Sequence, residues 1–435
     1  MFDAVCVIIG IVIGAGIFKA PALVAQNTSN GLVMLFAWLL GGLFCVCGAL
    51  CYAELASAYP HAGGDYVYLT RAFGRFTGFA FVWARMAVIQ TGSIASLAYI
   101  FGDYATQILP LGVASPTIYA ALSVLVFTFL NVIGVHESRW TQNLLTSAKV
   151  IALLAIVAIG LMVASEAPRG GVDDIKVSGG FGLAMVFVLY TYGGWNEAAY
   201  VAGELRDVHR NMSRAILASI LTLIAIYLLI NIAFLRVLGF HGMRASDVVA
   251  ADAMSRVFGR IGAIGISALV AFSALSATNG SIFTGARAIY AMGSDYATLH
   301  WLGRWHRRFK TPSSALIVQG VITVILILLA GIGEGFRKGF ETMVEYTAPV
   351  FWFFLLLTSI SLFALRIKDK SIERPFKAPL HPFTALAFCG MCVYMLYCSL
   401  AYVRIGALAG IAVLLLAIPL YAFMRIREGM QRHRR

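Results

Sequence analysis

The chain has 435 residues, of which 60% are hydrophobic and only 12% are charged. A soluble globular protein carries about 25% charged residues, so the composition excludes a soluble domain and indicates an integral membrane protein with room for about twelve helices. The net charge of +13 comes from basic residues in short loops between apolar runs, without the basic groove and stacking aromatics that bind nucleic acid. Nucleic acid is therefore not an expected partner; the lipid bilayer is.

Apolar runs bounded by turn residues and charges predict all-α architecture with twelve transmembrane helices. The seven cysteines lie within these runs, so they are interpreted as small core residues, and no metal or other cofactor is expected. The predicted spans, in chain order, are 4–25, 31–58, 76–108, 116–133, 140–164, 180–203, 213–235, 261–293, 313–331, 341–364, 381–403 and 405–424.

The loops differ in their content of Lys and Arg. With a cytoplasmic N-terminus, the cytoplasmic loops hold more than twice as many of these residues as the opposite loops. Basic residues are retained on the cytoplasmic side of membrane proteins. We therefore expect a multi-pass protein of the inner (plasma) membrane with both termini in the cytoplasm.

The first span carries three glycines, Gly10, Gly14 and Gly16, which a helix disfavours. One interpretation is a broken helix, which is tolerated within a membrane only where protein or a polar cavity covers the freed backbone groups. The other is a close helix–helix contact, because Gly10 and Gly14 have the spacing of small residues at such contacts. The first span alone does not decide between them.

The sixth span contains a second interruption, Tyr190-Thr-Tyr-Gly-Gly-Trp-Asn196. It follows the first by five helices, so the two spans run in opposite directions. A short echo supports a repeat, since Arg71-Ala-Phe-Gly-Arg75 precedes the third span and Arg256-Val-Phe-Gly-Arg260 precedes the eighth. Gly-interrupted helices in corresponding places of two halves point to an inverted-repeat transporter with a site at the middle of the membrane.

The two interruptions would offer opposite partial charges. In the first span the outer half begins near Ala15 and leaves the N–H groups of Gly16, Ile17 and Phe18 unpaired, while the inner half leaves carbonyl groups up to Ile13. In the sixth span, carbonyl groups become free at Leu189, Tyr190 and Gly193. Together these groups match the carboxylate and the ammonium of an α-amino acid.

Ile13-Gly-Ala-Gly-Ile-Phe18 and Tyr192-Gly-Gly-Trp-Asn-Glu197 resemble the two unwound-helix motifs of the amino acid–polyamine–organocation (APC) superfamily. The chain resembles in particular its L-type and bacterial serine/threonine-exchanger-like members. The resemblance implies the five-plus-five inverted-repeat (LeuT-like) fold, with broken helices 1 and 6. The first repeat would occupy 1–164, the second 165–370, and two peripheral helices with a cytoplasmic tail 371–435.

The resemblance also implies roles for single residues. Ala15 and Gly16 would donate to the substrate carboxylate, and Val12, Tyr190 and Gly193 would accept from its amine. Many relatives have Ser at the position of Ala15, so one hydroxyl group is missing here. The complete predicted substrate-binding set is Val12, Ile13, Gly14, Ala15, Gly16, Ile17, Tyr190, Tyr192, Gly193, Asn196, Ser276 and Asn279.

Lys149 lies deep in the fifth span, where an ionisable residue is a functional candidate. The resemblance implies that its ammonium replaces the cation of sodium-coupled relatives and contacts the first break, with Ser276 or Asn279 as further partners. A purely structural lysine paired with a carboxylate is the alternative.

Each of the remaining charged residues within or beside the spans has two interpretations. Lys19 reaches the outer vestibule or snorkels to the membrane surface. Glu197 carries a proton or compensates the helix dipole, and Glu345 lines an outer gate or caps its helix. Arg85 and Arg287 pair with Glu54 or Asp295, or snorkel.

We therefore predict secondary active transport of amino acids by alternating access, through sodium-independent exchange of neutral amino acids. The near alternative is a proton-coupled symporter. A channel or membrane receptor would need a polar lining or a signalling domain, and a membrane enzyme would need clustered His or carboxylates; neither pattern is present, so no enzyme is predicted. An accessory single-span subunit is not expected, although the family has members with and without one.

Overall fold

The computed structural model describes residues 13–61, 63–134, 139–162, 179–197, 208–333, 338–402 and 405–432. In these ranges the regular structure is helical and there is no β-strand. The α-helices, in chain order, are α1 Ala20–Gln26, α2 Gly31–Ala58, α3 Asp65–Phe73, α4 Arg75–Ala84, α5 Gln90–Ile108, α6 Ser115–Val132, α7 Arg139–Met162, α8 Gly180–Tyr192, α9 Val208–Arg244, α10 Val249–Asp295, α11 Ser313–Gly333, α12 Gly339–Lys368, α13 Phe383–Tyr402, α14 Ile405–Leu415 and α15 Ala417–Arg432.

Eight helices within the described ranges are long and apolar enough to cross a membrane. Each overlaps a predicted span. The other four predicted spans correspond to helices that are interrupted or only partly described, such as α4 and α5, which a π-helical turn at Arg85–Ile89 joins. The chain is therefore an integral membrane protein that crosses the bilayer several times. The eight helices or helical stretches are Gly31–Ala58, Ser115–Val132, Ile216–Arg244, Val249–Asp295, Ser313–Gly331, Gly339–Lys368, Phe383–Ala401 and Ala407–Arg427.

The predicted spans end at 235 and resume at 261, so the stretch between them was expected to be a loop, and this prediction is wrong. It is helical except for the short connection between α9 and α10, and each of these helices bends at a glycine, Gly239 with φ 71° and Gly259 with φ 63°. A positive φ costs glycine little, so the chain turns there and resumes as helix. The predicted span boundaries at 235 and 261 lie next to these bends.

A buried carboxylate fastens one end of the helix bundle. Glu54, near the end of α2, has no exposed surface. Its two oxygens accept hydrogen bonds from Arg366 Nε at 2.7 Å and Nη2 at 2.6 Å, and the N–H of Ala378 donates at 2.8 Å. Arg374 adds an ion pair at 3.6 Å. The carboxylate thus joins α2, the end of α12 and the segment after it.

A second carboxylate joins the short helix α3 to the same place. Asp369 accepts hydrogen bonds from Tyr59 Oη at 2.9 Å and Arg71 Nε at 2.6 Å. Burial raises the pKa of Asp369, but these two hydrogen bonds, together with the charges of Arg71 and Arg374, outweigh burial and hold the pKa of the carboxyl below its ordinary value. The carboxylates of Glu54 and Asp295, which were expected as partners of Arg85 or Arg287, take Arg366 and Tyr66 instead.

We expect Glu54→Gln to destabilise the protein, because it leaves two guanidinium groups beside an uncharged amide. Breaking a buried ion pair costs about 3 kcal/mol, which should lower the apparent Tm measured in detergent by size-exclusion chromatography after heating. Glu373→Gln, an exposed acid in the same segment, is the control and should leave Tm unchanged. Equal Tm values for the two variants would contradict a stabilising role of Glu54.

Candidate functional site

The first span is broken where its glycines predict. Residues 13–15 are not helical, a 3-10 turn covers Gly16–Phe18, and α1 begins at Ala20. This geometry excludes an unbroken packing helix through Gly14. Within the described chain, no residue accepts a backbone hydrogen bond from the N–H groups of Ala15 or Gly16.

One predicted donor in this turn is already engaged. The N–H of Phe18 donates to the carbonyl of Ala15 at 3.1 Å, closing the 3-10 turn, so the prediction that it is unpaired is wrong. The N–H of Ile17 has no backbone acceptor among the described residues. The donors that the turn presents are therefore those of Ala15, Gly16 and Ile17.

The sixth span is also broken where it was predicted to be. Helix α8 ends at Tyr192, and the chain turns at Gly193 and Gly194, the latter with φ 102°, before a 3-10 turn at Trp195–Glu197. The N–H of Gly193 donates to the carbonyl of Tyr190 at 3.0 Å. That carbonyl, predicted to accept from a substrate amine, thus has one of its two lone pairs in use.

The two breaks lie against each other. A Cβ atom added at Gly16 would be 3.6 Å from both Oγ1 and Cγ2 of Thr191, two residues before Gly193. The 3-10 turn at Gly16–Phe18 also packs on α8 and α10. Donors from one break and acceptors from the other therefore border one small region, as the opposite directions of the two spans require.

Aromatic side chains surround this region. The ring of Tyr190 meets Phe340 of α12 edge-on, with centroids 5.7 Å apart, and its hydroxyl group faces Ser93 and Ser96 on α5. Tyr190 therefore bridges three helices at the break.

Behind the break, a buried cluster fixes the end of α8. Tyr192 Oη donates to the carbonyl of Trp38 on α2 at 3.1 Å, and its ring packs on Tyr227 of α9 with centroids 4.9 Å apart. Tyr227 Oη in turn donates to the carbonyl of Thr191 at 3.3 Å. Tyr192 thus holds the break in place from the side of α2 and α9.

The structure separates the two candidates on α10. The Ser276 hydroxyl is buried and has no hydrogen-bond partner among the described residues. Asn279 Oδ1 accepts a hydrogen bond from Asn131 Nδ2 of α6 at 2.7 Å, so this group serves helix packing.

The structure describes all but one of the remaining predicted residues. Lys149 is buried on α7, which packs against α9 and α10. Asn196 is buried beside the second break, and Ile13 beside the first, where Gly14 is partly covered. Val12 lies outside the described residues.

An ion pair beside the first break was not predicted. Lys19 Nζ lies 2.8 Å from Asp103 Oδ2 of α5, and both side chains are nearly buried, with 5% and 11% of their surface exposed. The ammonium also donates to the carbonyl of Asp247 at 2.9 Å. Lys19 therefore does not snorkel. The available sequence signal was Asp103, an acid inside an apolar span that required a partner.

Further polar contacts hold the part of the first span that follows the break. Tyr104 Oη of α5 donates to the carbonyl of Phe18 at 2.8 Å. At the far end of α1, Arg244 Nη1 donates to the carbonyls of Ala25 at 3.2 Å and Thr28 at 3.1 Å. The turn and α1 are thus fastened at both ends to the helices around them.

The sequence of the chain matches known proteins over most of its length. A family model described as amino acid permease matches residues 1–418. The chain is 31% identical over 392 residues to b(0,+)-type amino acid transporter 1 of Mus musculus, covering 87% of this chain and 78% of the relative. It is 26% identical over 429 residues to the serine/threonine exchanger SteT of Bacillus subtilis (98% and 96% covered), and 29% identical over 434 residues to large neutral amino acids transporter small subunit 2 of Homo sapiens (97% and 79% covered).

All three relatives are transporters, not enzymes. The two broken spans, their apposition and the family match over nearly the whole chain lead to one identification. The chain belongs to the amino acid permease family of the APC superfamily, whose members transport amino acids across membranes.

Proposed function

We propose that this protein exchanges neutral amino acids across the plasma membrane, independently of sodium and by alternating access. The observation that carries the proposal is the apposition of the two breaks at Gly16 and Thr191. Unpaired N–H groups and carbonyl groups at membrane depth need a polar partner, and a zwitterion supplies both charges at once.

The backbone binds the head group of the substrate in this proposal. The N–H groups of Ala15, Gly16 and Ile17 receive the carboxylate, favoured by the positive end of the turn and helix that follow. Carbonyl groups of Val12, Tyr190 and Gly193 receive the amine, and Gly14 gives the chain room to turn. No charged side chain is needed for either half of the zwitterion.

The side chain of the substrate meets neutral protein groups. The ring of Tyr190 closes one side, and the uncommitted hydroxyl of Ser276 lies on the wall formed by α10. Ile13, Tyr192 and Asn196 complete the proposed binding set. A pocket of this character favours a neutral over an acidic or basic side chain, because a buried charge without a partner is costly.

The proposed architecture is twelve helices in a five-plus-five inverted repeat, with the repeats at 1–164 and 165–370 and peripheral helices at 371–435. Two broken spans of opposite direction that meet at mid-depth support it. The bias of Lys and Arg supports cytoplasmic termini. One relative is named a small subunit; for this chain we propose no obligatory partner subunit.

Lys149 takes the place of a coupling cation in this proposal. Its ammonium would link α7 to the first break and to the wall of α10 near Ser276. The burial of Lys149 and the packing of α7 on α10 support this role, which would make transport independent of sodium.

Exchange is tested with purified protein reconstituted alone in proteoliposomes. We expect uptake of a labelled neutral amino acid to rise about tenfold or more when the vesicles contain unlabelled amino acid, and to be unchanged when sodium is replaced by choline. This follows if the loaded carrier returns more readily than the empty one. Uptake driven by an inward proton gradient without internal substrate would instead establish symport, for which the buried carboxylate of Asp103 is the candidate group.

We expect Lys149→Met to reduce exchange about tenfold or more, because the ammonium that links the helices is lost while most of the volume remains. Lys338→Met, which removes an exposed lysine, is the control. If exchange is lost, a thermal shift measured with substrate tells a folded variant that still binds substrate from one that is misfolded. A variant that folds and keeps normal exchange would show that Lys149 is only structural.

The pair of Lys19 and Asp103 should behave as a coupled unit. We expect Lys19→Met and Asp103→Asn each to lower Tm and exchange, since each leaves one buried charge unpaired. The double variant should be less impaired than the sum, with a coupling free energy of about 1–3 kcal/mol. Additive effects in this double-mutant cycle would show that the ion pair does not hold the outer half of the first span.

A further inference from the structure

A basic and aromatic surface lies between α10 and α11. We call residues 300–310 the Trp–Arg loop. Trp301 and Trp305 are 49% and 50% exposed, and four cations accompany them within seven residues. No acidic residue occurs from position 296 to position 333. The four cations are Arg304, Arg307, Arg308 and Lys310.

The loop has a defined conformation. The N–H of His306 donates to the carbonyl of Thr311 at 2.8 Å, and the N–H of Lys310 donates back to the carbonyl of His306 at 2.8 Å. His306 also stacks on Phe309 with centroids 4.8 Å apart. Thr311 Oγ1 donates to the carbonyl of Val132 at the end of α6. These bonds hold the loop, so its exposed indoles and cations are presented at fixed positions.

The loop must lie at the surface of the membrane. Both α10 and α11 have the length and composition of spanning helices, and the loop connects them directly. The ring of Trp305 packs on Tyr290 of α10 with centroids 5.3 Å apart. One turn earlier, the exposed Arg287 lies over Phe283 at 4.3 Å. The cation of Arg287 on α10 thus continues the cations and indoles of the loop along the same surface.

We propose that the Trp–Arg loop binds the headgroups of anionic phospholipids in the adjacent leaflet. Indole rings favour the headgroup region, and clustered Lys and Arg beside a spanning helix attract anionic lipid. Within the part of the chain that the structure describes, none of the four cations of the loop forms an ion pair with an acid. The preference of basic residues for the cytoplasmic side of a membrane accounts for the cations of the loop but not for its exposed tryptophans. This inference does not depend on the transport proposal.

The test compares two variants that each remove two exposed cations. Arg304→Gln/Arg307→Gln alters the loop, and Lys370→Gln/Lys377→Gln is the matched control. All four side chains are exposed. Both places lie on the same side of the protein, because α3 contacts the end of α10 through Tyr66–Asp295 and the region after α12 through Arg71–Asp369.

Full-length protein in detergent is titrated with phosphatidylglycerol or with phosphatidylcholine of the same chain length. Retained lipid is counted by native mass spectrometry, and Tm is measured in parallel. We expect phosphatidylglycerol to be retained in preference to phosphatidylcholine by the parent and the control. In the loop variant its apparent affinity should fall about tenfold. Salt at about 0.5 M should weaken the preference in the parent.

Three results would overturn the proposal. The first is a parent protein that does not distinguish the two lipids. The second is a loop variant that retains phosphatidylglycerol as well as the control does. The third is equal stabilisation of the parent by soluble polyglutamate, which would assign the surface to an acidic protein partner. If the loop variant does not fold, the same lipid titration is made on Trp305→Gln, which should retain less phosphatidylglycerol than the parent. The comparison of the two lipids on the parent does not depend on any variant.

Discussion

The structure depends on one constraint, which is that backbone polar groups freed inside a membrane must be paired or covered. The chain frees such groups twice, in residues 13–15 and at Gly193–Gly194, and it brings the two places into contact at Gly16 and Thr191. Some freed groups are satisfied locally, as the N–H of Phe18 and the carbonyl of Tyr190 show. The groups that have no partner among the described residues are the basis of the proposed site, in which the backbone alone would recognise a zwitterion.

A site of this kind is useful only if the polypeptide around it can move, and the contacts at the two ends differ in character. The part of the first span that follows the break is held by a few directed polar contacts, namely the Lys19–Asp103 pair, the Tyr104 hydrogen bond and the bonds from Arg244. The bonds from Tyr104 and Arg244 end on carbonyl oxygens, which water can satisfy in their place, whereas opening the Lys19–Asp103 pair leaves two buried charges. At the other end, Glu54 gathers Arg366, Arg374 and Ala378 around one fully buried carboxylate. Such a cluster is costly to open, because the charge would remain buried without partners.

The sequence alone indicated the membrane class, the positions of eight spans and both breaks. These features depend on composition and on glycine, which act locally. Contacts between distant parts of the chain were out of reach. Three examples are the ion pair of Lys19 with Asp103, the ion pair of Glu54 with Arg366 and the hydrogen bond between Asn131 and Asn279. Each depends on which faces of two distant helices pack against each other, and no local pattern in the sequence shows this. The helical structure of 236–260 was missed for another reason, since glycine marks a bend there and not the end of a helix.

The division of labour at the site follows from these observations. In the proposed site, head-group recognition lies in the backbone, which substitution changes little, so it can be common to carriers with different substrates. In the proposal, selectivity comes from side chains around the breaks. Tyr190 contacts Phe340 of α12 there, and Ser276 is a candidate because its buried hydroxyl has no hydrogen-bond partner among the described residues. Coupling is a third, separable property. The proposal assigns it to buried charges outside the break, Lys149 and the Lys19–Asp103 pair, because these can respond to a cation or a proton without disturbing the backbone of the proposed site.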